Sequence, residues 1–170
     1  IPNSGHNCLT PRVLIQKEDW EKREALNGAI SDFLDRNDTR KAYYPGSQGI
    51  FEDFIEAHPD AMQLGKRRQD DLPWTFIAGL DANKREEICF NREAFISLFS
   101  ETSLSADSTA EYIRKAVRFC NERVWGTLTA AIVVHPKSLR DKEIAAAVEE
   151  AVAELNYGSV TVNHWGALAY

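Results

Sequence analysis

The 170 residues carry 20 Lys and Arg against 26 Asp and Glu, a net charge of −6 at pH 7 with a pI near 5.3. That balance argues against a nucleic-acid partner, which needs clustered cations; the basic cluster Lys66-Arg67-Arg68 is answered at once by Asp70-Asp71 and reads as a solvated loop face. With 44% hydrophobic and 27% charged residues the chain can bury a real core, and no apolar run approaches the ~20 residues of a membrane span.

The first segment is a glycine-containing loop, Asn3-Ser4-Gly5-His6-Asn7-Cys8, ahead of an apolar run from Arg12 to Gln16 that predicts a strand. A thiol in such a turn can be presented to a substrate, its thiolate being the nucleophilic form. The alternative for Cys8 is a small buried hydrophobe. A helix is expected from near Asp19, its N-cap, with Leu26, Ala29, Ile30 and Phe33 on the buried face and an end at Asn37-Asp38-Thr39. Tyr43-Tyr44-Pro45-Gly46-Ser47 reads as a turn. Gly49 to Ala57 reads as a short amphipathic helix with Phe51, Phe54 and Ile55 inward, stopped by Pro59. Residues 60–71 are polar and read as a loop, either an insertion or part of a substrate pocket.

Pro73 to Gly79 predicts a strand by its β-branched and aromatic content, and Ala94 to Phe99 another. Ser108-x-x-Glu111 is a capping box opening a helix that buries Ile113, Ala116, Val117, Cys120 and Val124. Thr129 to Val134 predicts a buried strand. Ser138 is expected to cap a long helix with Ile144, Val148, Ala151, Val152 and Leu155 on one face, Gly158 to turn the chain, and Ser159 to Asn163 to form the last strand. Strands alternating with helices of this length predict an α/β fold, a mostly parallel open sheet with flanking helices, in one domain over residues 1–170.

Three cysteines, an odd number at wide spacing, suggest reduced thiols and a cytoplasmic setting. The four histidines (His6, His58, His135 and His164) are far apart, and without C-x-x-C or H-x-x-x-H spacing no metal site is expected. Taken singly, Glu93 is a solvated carboxylate at a strand entrance, Phe95 a core aromatic and Asn163 a turn residue.

Four blocks in order change that reading. Asn-x-Gly-x-x-Cys at residues 3–8, with Arg12 four places on, resembles the nucleophile segment of the aldehyde dehydrogenase superfamily. Arg92-Glu93-Ala94-Phe95 resembles its Glu-x-Phe motif. Asn121 to Leu128 resembles its Asn-x-x-x-x-Gly-Leu-like stretch, and Gly158 to Asn163 its Gly-x-Val-x-Val-Asn block. The resemblance implies the cysteine-bearing catalytic domain of an oxidoreductase that uses NAD or NADP. Cys8 would attack the aldehyde carbon and pass through a thiohemiacetal and a thioester. Glu93 would hold the nicotinamide ribose, Phe95 would pack beside the ring, and His6 and Asn163 would shape the site. His6 stands where the family has Gln, and Ile96-Ser97 where it has Gly-Pro. Such departures suit a divergent branch, one acting as an acyl-thioester reductase, or one kept for binding or assembly. With Ile1-Pro2 at its start, one methionine (Met62) and an end at Tyr170, the chain reads as a fragment. The dinucleotide-binding domain and general base are expected elsewhere in the same protein, which the resemblance implies is a homo-oligomer when intact.

Overall fold

The apolar run behind Arg12 makes the first strand, β1 (Val13–Lys17). In the computed structural model, which describes residues 1–169, the chain divides into two compact units, with the boundary in sequence between Ser103 and Leu104. The first unit continues through α1 (Arg23–Arg36), β2 (Arg40–Lys41), α2 (Ser47–Ala57), β3 (Met62–Leu64) and β4 (Asp71–Leu72). Then come β5 (Trp74–Leu80), α3 (Ile88–Asn91) and β6 (Leu98–Leu104). Its main sheet has the order β1-β6-β5-β3, with β5 and β6 parallel and β3 antiparallel on the edge; β2 and β4 form a separate antiparallel pair.

The second unit holds α4 (Thr109–Arg123), β7 (Thr129–Ile132), α5 (Lys142–Glu154) and β8 (Ser159–Val162). Here β7 and β8 pair in parallel, Thr129 opposite Ser159 through Ile132 opposite Val162. Asn121 ties α4 to the end of α5: its amide donates to the Glu154 carbonyl at 2.8 Å and its oxygen accepts the Asn156 N–H at 2.9 Å. The architecture is the mixed α/β fold expected, a mostly parallel sheet flanked by helices.

Element bounds differ from the sequence reading where a short polar group competes for a cap. Asp19 lies in a turn, its carboxylate on Lys17, and α1 begins four residues later without a side-chain cap. Leu34 and Asn27 are its buried positions, whereas Phe33 is 65% exposed. The inward stripe runs one position off the Ala29–Phe33 line because Asn27 must meet Gln16 of β1, whose amide donates to it at 2.9 Å. Asp141, not Ser138, caps α5, accepting from the N–H groups of Glu143 and Ile144. Ser108 caps α4 as the capping box requires. Residues 62–64, read as loop, add an edge strand too short to show alternation.

The larger difference is β6. Ala94, Ile96 and Ser97 are buried but, with the half-buried Phe95, lie outside any regular element, and the strand runs on through Ser100, Glu101 and Thr102, all buried. A buried strand reads as apolar unless its polar groups are satisfied. Here they are. Arg23 donates to both Glu101 oxygens, at 3.0 and 3.1 Å, the Gly79 N–H reaches Oε2 at 2.9 Å, and Thr102 donates to the Leu80 carbonyl at 2.7 Å. Around this lie Phe54, Phe76, Phe90, Ile96 and Leu98, each fully buried, with Phe76 stacked on Phe99 at 5.6 Å.

Burial pushes the Glu101 carboxyl up, but Arg23 and the Gly79 N–H outweigh it and hold it below its ordinary 4.5. A carboxyl depressed on folding stabilises above its unfolded value and loses that contribution as pH falls through the folded one. Glu101→Ala should therefore cost about 3 kcal/mol in urea unfolding at pH 7, because it strands a partly buried guanidinium and an amide. The gap to the wild-type chain should close under acid; a gap that holds steady as the carboxyl protonates would show that the ion pair is not its source.

Candidate functional site

Three successive residues, Asn3, Ser4 and Gly5, adopt left-handed φ of 47°, 54° and 79°. Two of them are not glycine, a strained geometry that surrounding contacts must hold. Asn3 exchanges hydrogen bonds with the His6 backbone, and Arg12 ties the Gly5 end. From the position just before β1 its guanidinium donates to the Gly5 carbonyl at 2.5 Å and to the Ile96 carbonyl at 2.9 Å. It lies 5.5 Å above the Phe95 ring and 3.9 Å from the Glu93 carboxylate. One side chain thus bridges the cysteine loop and the Glu93–Phe95 segment, which are almost ninety residues apart in sequence. Burial pulls the Arg12 pKa down to about 10, with Glu93 pushing back upward, so it remains a cation at neutral pH.

Gly5 is required at this crossing. A Cβ there would sit 1.6 Å from the Ile96 carbonyl oxygen, so backbone touches backbone. Beyond it, Cys8 stands exposed at the second position of a turn closed by the Thr10 N–H on the Asn7 carbonyl at 3.0 Å. Asn7 also accepts the Leu9 N–H through its side chain at 2.8 Å. The other two thiols differ. Burial pushes Cys89 far above the usual thiol range and Cys120 up to about 11.

His6 points inward, 6% exposed, with Nε2 3.4 Å from Ser47 Oγ at the start of α2. Its ring meets Tyr44 at 5.8 Å and the edge of Phe95 at 6.2 Å, and Tyr44 meets Phe95 at 5.6 Å. Burial, reinforced by the nearby Arg12 charge, holds the His6 imidazole below its ordinary 6.5. The neutral ring is therefore the form favoured beside the loop. Asn163 lies in the second unit, where its side chain accepts the Val134 N–H at 2.9 Å and its own φ is 57°. It closes the end of the β7–β8 pair.

The first unit therefore gathers His6, Glu93 and Phe95 around Arg12, on the loop that presents Cys8. Arg12 and Tyr44 were not among the site residues picked out from sequence. The signal for Arg12 was a cation heading an apolar strand, where it must bury and find partners. Two surface hollows lie elsewhere, one lined by Arg36 to Arg40 with Arg68, the other along β8. They are wide and shallow, and none of the residues gathered at Arg12 lines them.

No family model and no curated sequence matches the chain. Solved structures do. A lactaldehyde dehydrogenase superposes with a TM-score of 0.74 over 96% of this chain, at 12% identity. The fold is that of aldehyde dehydrogenases. An NADP-dependent glyceraldehyde-3-phosphate dehydrogenase from Bacillus halodurans C-125, in complex with NADP, gives 0.68 over 95% at 15% identity. The NAD+ complex of an aldehyde dehydrogenase from Bacillus cereus gives 0.69 over 96% at 14% identity. In each case the chain spans about a third of the other protein, 33–34% of its length.

Beside Arg12, Glu93 and Phe95 offer a carboxylate acceptor and an aromatic face. The Glu93 side chain is about one-third exposed and lies beyond hydrogen-bond range of Arg12, so its oxygens can accept from a diol. Phe95 offers a partly exposed ring to a planar group. Gly5→Ala should destabilise the chain by more than about 2 kcal/mol, far beyond the usual effect of this substitution at an open site. Gly28→Ala, with nothing within 4 Å of its added Cβ, is the control, and equal unfolding midpoints for the two variants would refute the crossing.

Proposed function

We propose that this chain is the cysteine-bearing part of an NAD(P)-dependent aldehyde dehydrogenase-like oxidoreductase, and that Cys8 is its nucleophile. The observation that carries the reading is the Arg12 bridge, which joins the loop bearing the exposed Cys8 to Glu93 and Phe95. In this reading the Cys8 thiolate adds to the aldehyde carbon, and the carbonyl electron pair moves onto oxygen. The Cys8 backbone N–H is a natural donor to that oxyanion. NAD or NADP, when bound, would accept the hydride that the thiohemiacetal carbon gives up as its oxygen re-forms the carbonyl, which leaves the acyl group on Cys8 as a thioester. Glu93 holds the ribose hydroxyls beside it, and Phe95, pinned by Arg12 and Tyr44, sets the plane against which the ring packs. Water then cleaves the Cys8 thioester, releasing the acid and restoring the thiol.

His6 in its neutral form supports the loop by packing and by its contact with Ser47. The dinucleotide-binding domain and the base that activates water come from the rest of the protein, so the 170 residues alone are inactive toward aldehydes. The setting that suits this chemistry is cytoplasmic, and the intact protein is a homo-oligomer. No helix among the described residues is long and apolar enough to cross a membrane.

Two measurements test this. In the intact parent protein, aldehyde-dependent NADH or NADPH formation should vanish with Cys8→Ser. Absence of turnover with aldehydes, and with acyl-thioesters in the reverse direction, would favour a fold retained for binding or assembly. In the native 170-residue chain, Cys8 should alkylate first. Raising Cys120 from 9.0 to about 11 leaves it about a hundredfold less thiolate than an ordinary cysteine. Equal labelling of the three thiols would sink the idea that Cys8 is the presented one.

A further inference from the structure

Away from the cysteine loop, the first unit brings a nitrogen, an oxygen and a sulfur ligand to one point. His58 follows the last residue of α2, and Glu87 and Cys89 sit at the start of α3. One ligand atom from each lies within 4.8 Å of the others, and this is the group of that kind found among the described residues. Glu87 is the hub. Its Oε1 is 2.6 Å from His58 Nε2 and accepts the Cys89 N–H at 3.1 Å, while Lys84 Nζ lies 3.2 Å from Oε2. Glu87 and Cys89 are buried, and Lys84 is half exposed at the rim.

We propose that His58, Glu87 and Cys89 form a binding site for a borderline divalent transition metal, of which zinc is the representative. Thiolate, imidazole and carboxylate together are the donor set of zinc and cobalt, whereas magnesium and calcium take oxygen ligands. The positions are already fixed: Glu87 is the N-cap of α3, and His58 ends α2. On binding, the Cys89 S–H bond breaks as the sulfur–metal bond forms, and the proton leaves to solvent. His58 ligates through the lone pair of Nε2, with its proton on Nδ1. Lys84 swings outward into solvent, freeing the second Glu87 oxygen, and a water completes four-coordination. Carboxylate and thiolate balance the dication, so the buried charge is neutral overall. The bound metal would staple α2, whose first residue touches His6, to the segment that leads into Glu93 and Phe95. If Glu87 served only as a cap paired with His58 and Lys84, metals would not be distinguished.

The test uses the 170-residue chain in a Cys8→Ser background, which removes the exposed thiol, after treatment with a chelator. Titration with Co2+ should give a thiolate-to-cobalt charge-transfer band that saturates at one equivalent. Zn2+ should abolish the band, and Mg2+ and Ca2+ should not. Cys89→Ser should remove it. His58→Gln should weaken Co2+ binding at least about tenfold, and Lys84→Met, which deletes the competing ammonium, should tighten it about tenfold. Should Cys89→Ser fail to fold, His58 and Lys84, both less buried, still decide the matter. No saturable band in the folded protein, a band that survives Cys89→Ser, or an affinity indifferent to His58→Gln would each overturn the proposal.

Discussion

A buried guanidinium is the constraint on which the first unit's chemistry depends. Taking Arg12 out of water costs several kcal/mol, and that cost is offset only if its donors find acceptors in fixed positions. Two of those acceptors are backbone carbonyls from segments that share no secondary structure, Gly5 in the loop and Ile96 before β6. Neither carbonyl is spent in a helix or a sheet ladder, and Ile96 accepts the Leu98 N–H at 2.8 Å as well as the guanidinium. The same ion therefore satisfies the loop, positions Phe95 beneath it and faces Glu93. Its Nε remains buried without a partner, so even this arrangement leaves one polar group unmatched.

The pattern recurs. Glu101 in the middle of β6 holds Arg23 and the Gly79 amide, and Glu87 at the head of α3 holds His58, Lys84 and the Cys89 amide. Each carboxylate is buried, and each is held below its ordinary value because charged partners and N–H donors outweigh the burial that opposes ionisation. The first unit thus uses buried ions to fix junctions between elements, in places where apolar packing alone would not specify register. The consequence for function is that the loop is tied at its base and presents Cys8 at an exposed turn.

The segment from Tyr43 to Ser47 belongs to this arrangement. Tyr44 packs on both His6 and Phe95, and Ser47 meets His6, so the start of α2 backs the cysteine loop. Tyr43, 77% exposed, stacks edge-on against Tyr44 at 4.9 Å and extends the aromatic face outward. The histidine at position 6 is accommodated by these neighbours as a neutral, buried ring, which removes the charge that a protonated imidazole would place two residues from the thiol.

Sequence by itself determined the elements whose signals are local: the strands at β1, β5, β7 and β8, the amphipathic α2 and the Ser108 cap of α4. It also carried the four ordered blocks, because a glycine at a backbone crossing or a cysteine in a turn is required by residue type. It did not show that Ser100-Glu101-Thr102 is the interior of a strand, since polar residues read as exposed until their partners are known. Those partners, Arg23, Gly79 and Leu80, are remote in sequence. Nor did it show that Arg12 is the residue that gathers the site, or that His58 meets Glu87 and Cys89 across about thirty residues. Tertiary structure decided these, because the fate of a polar side chain depends on which acceptors the fold brings within 3 Å, and no local periodicity encodes that distance.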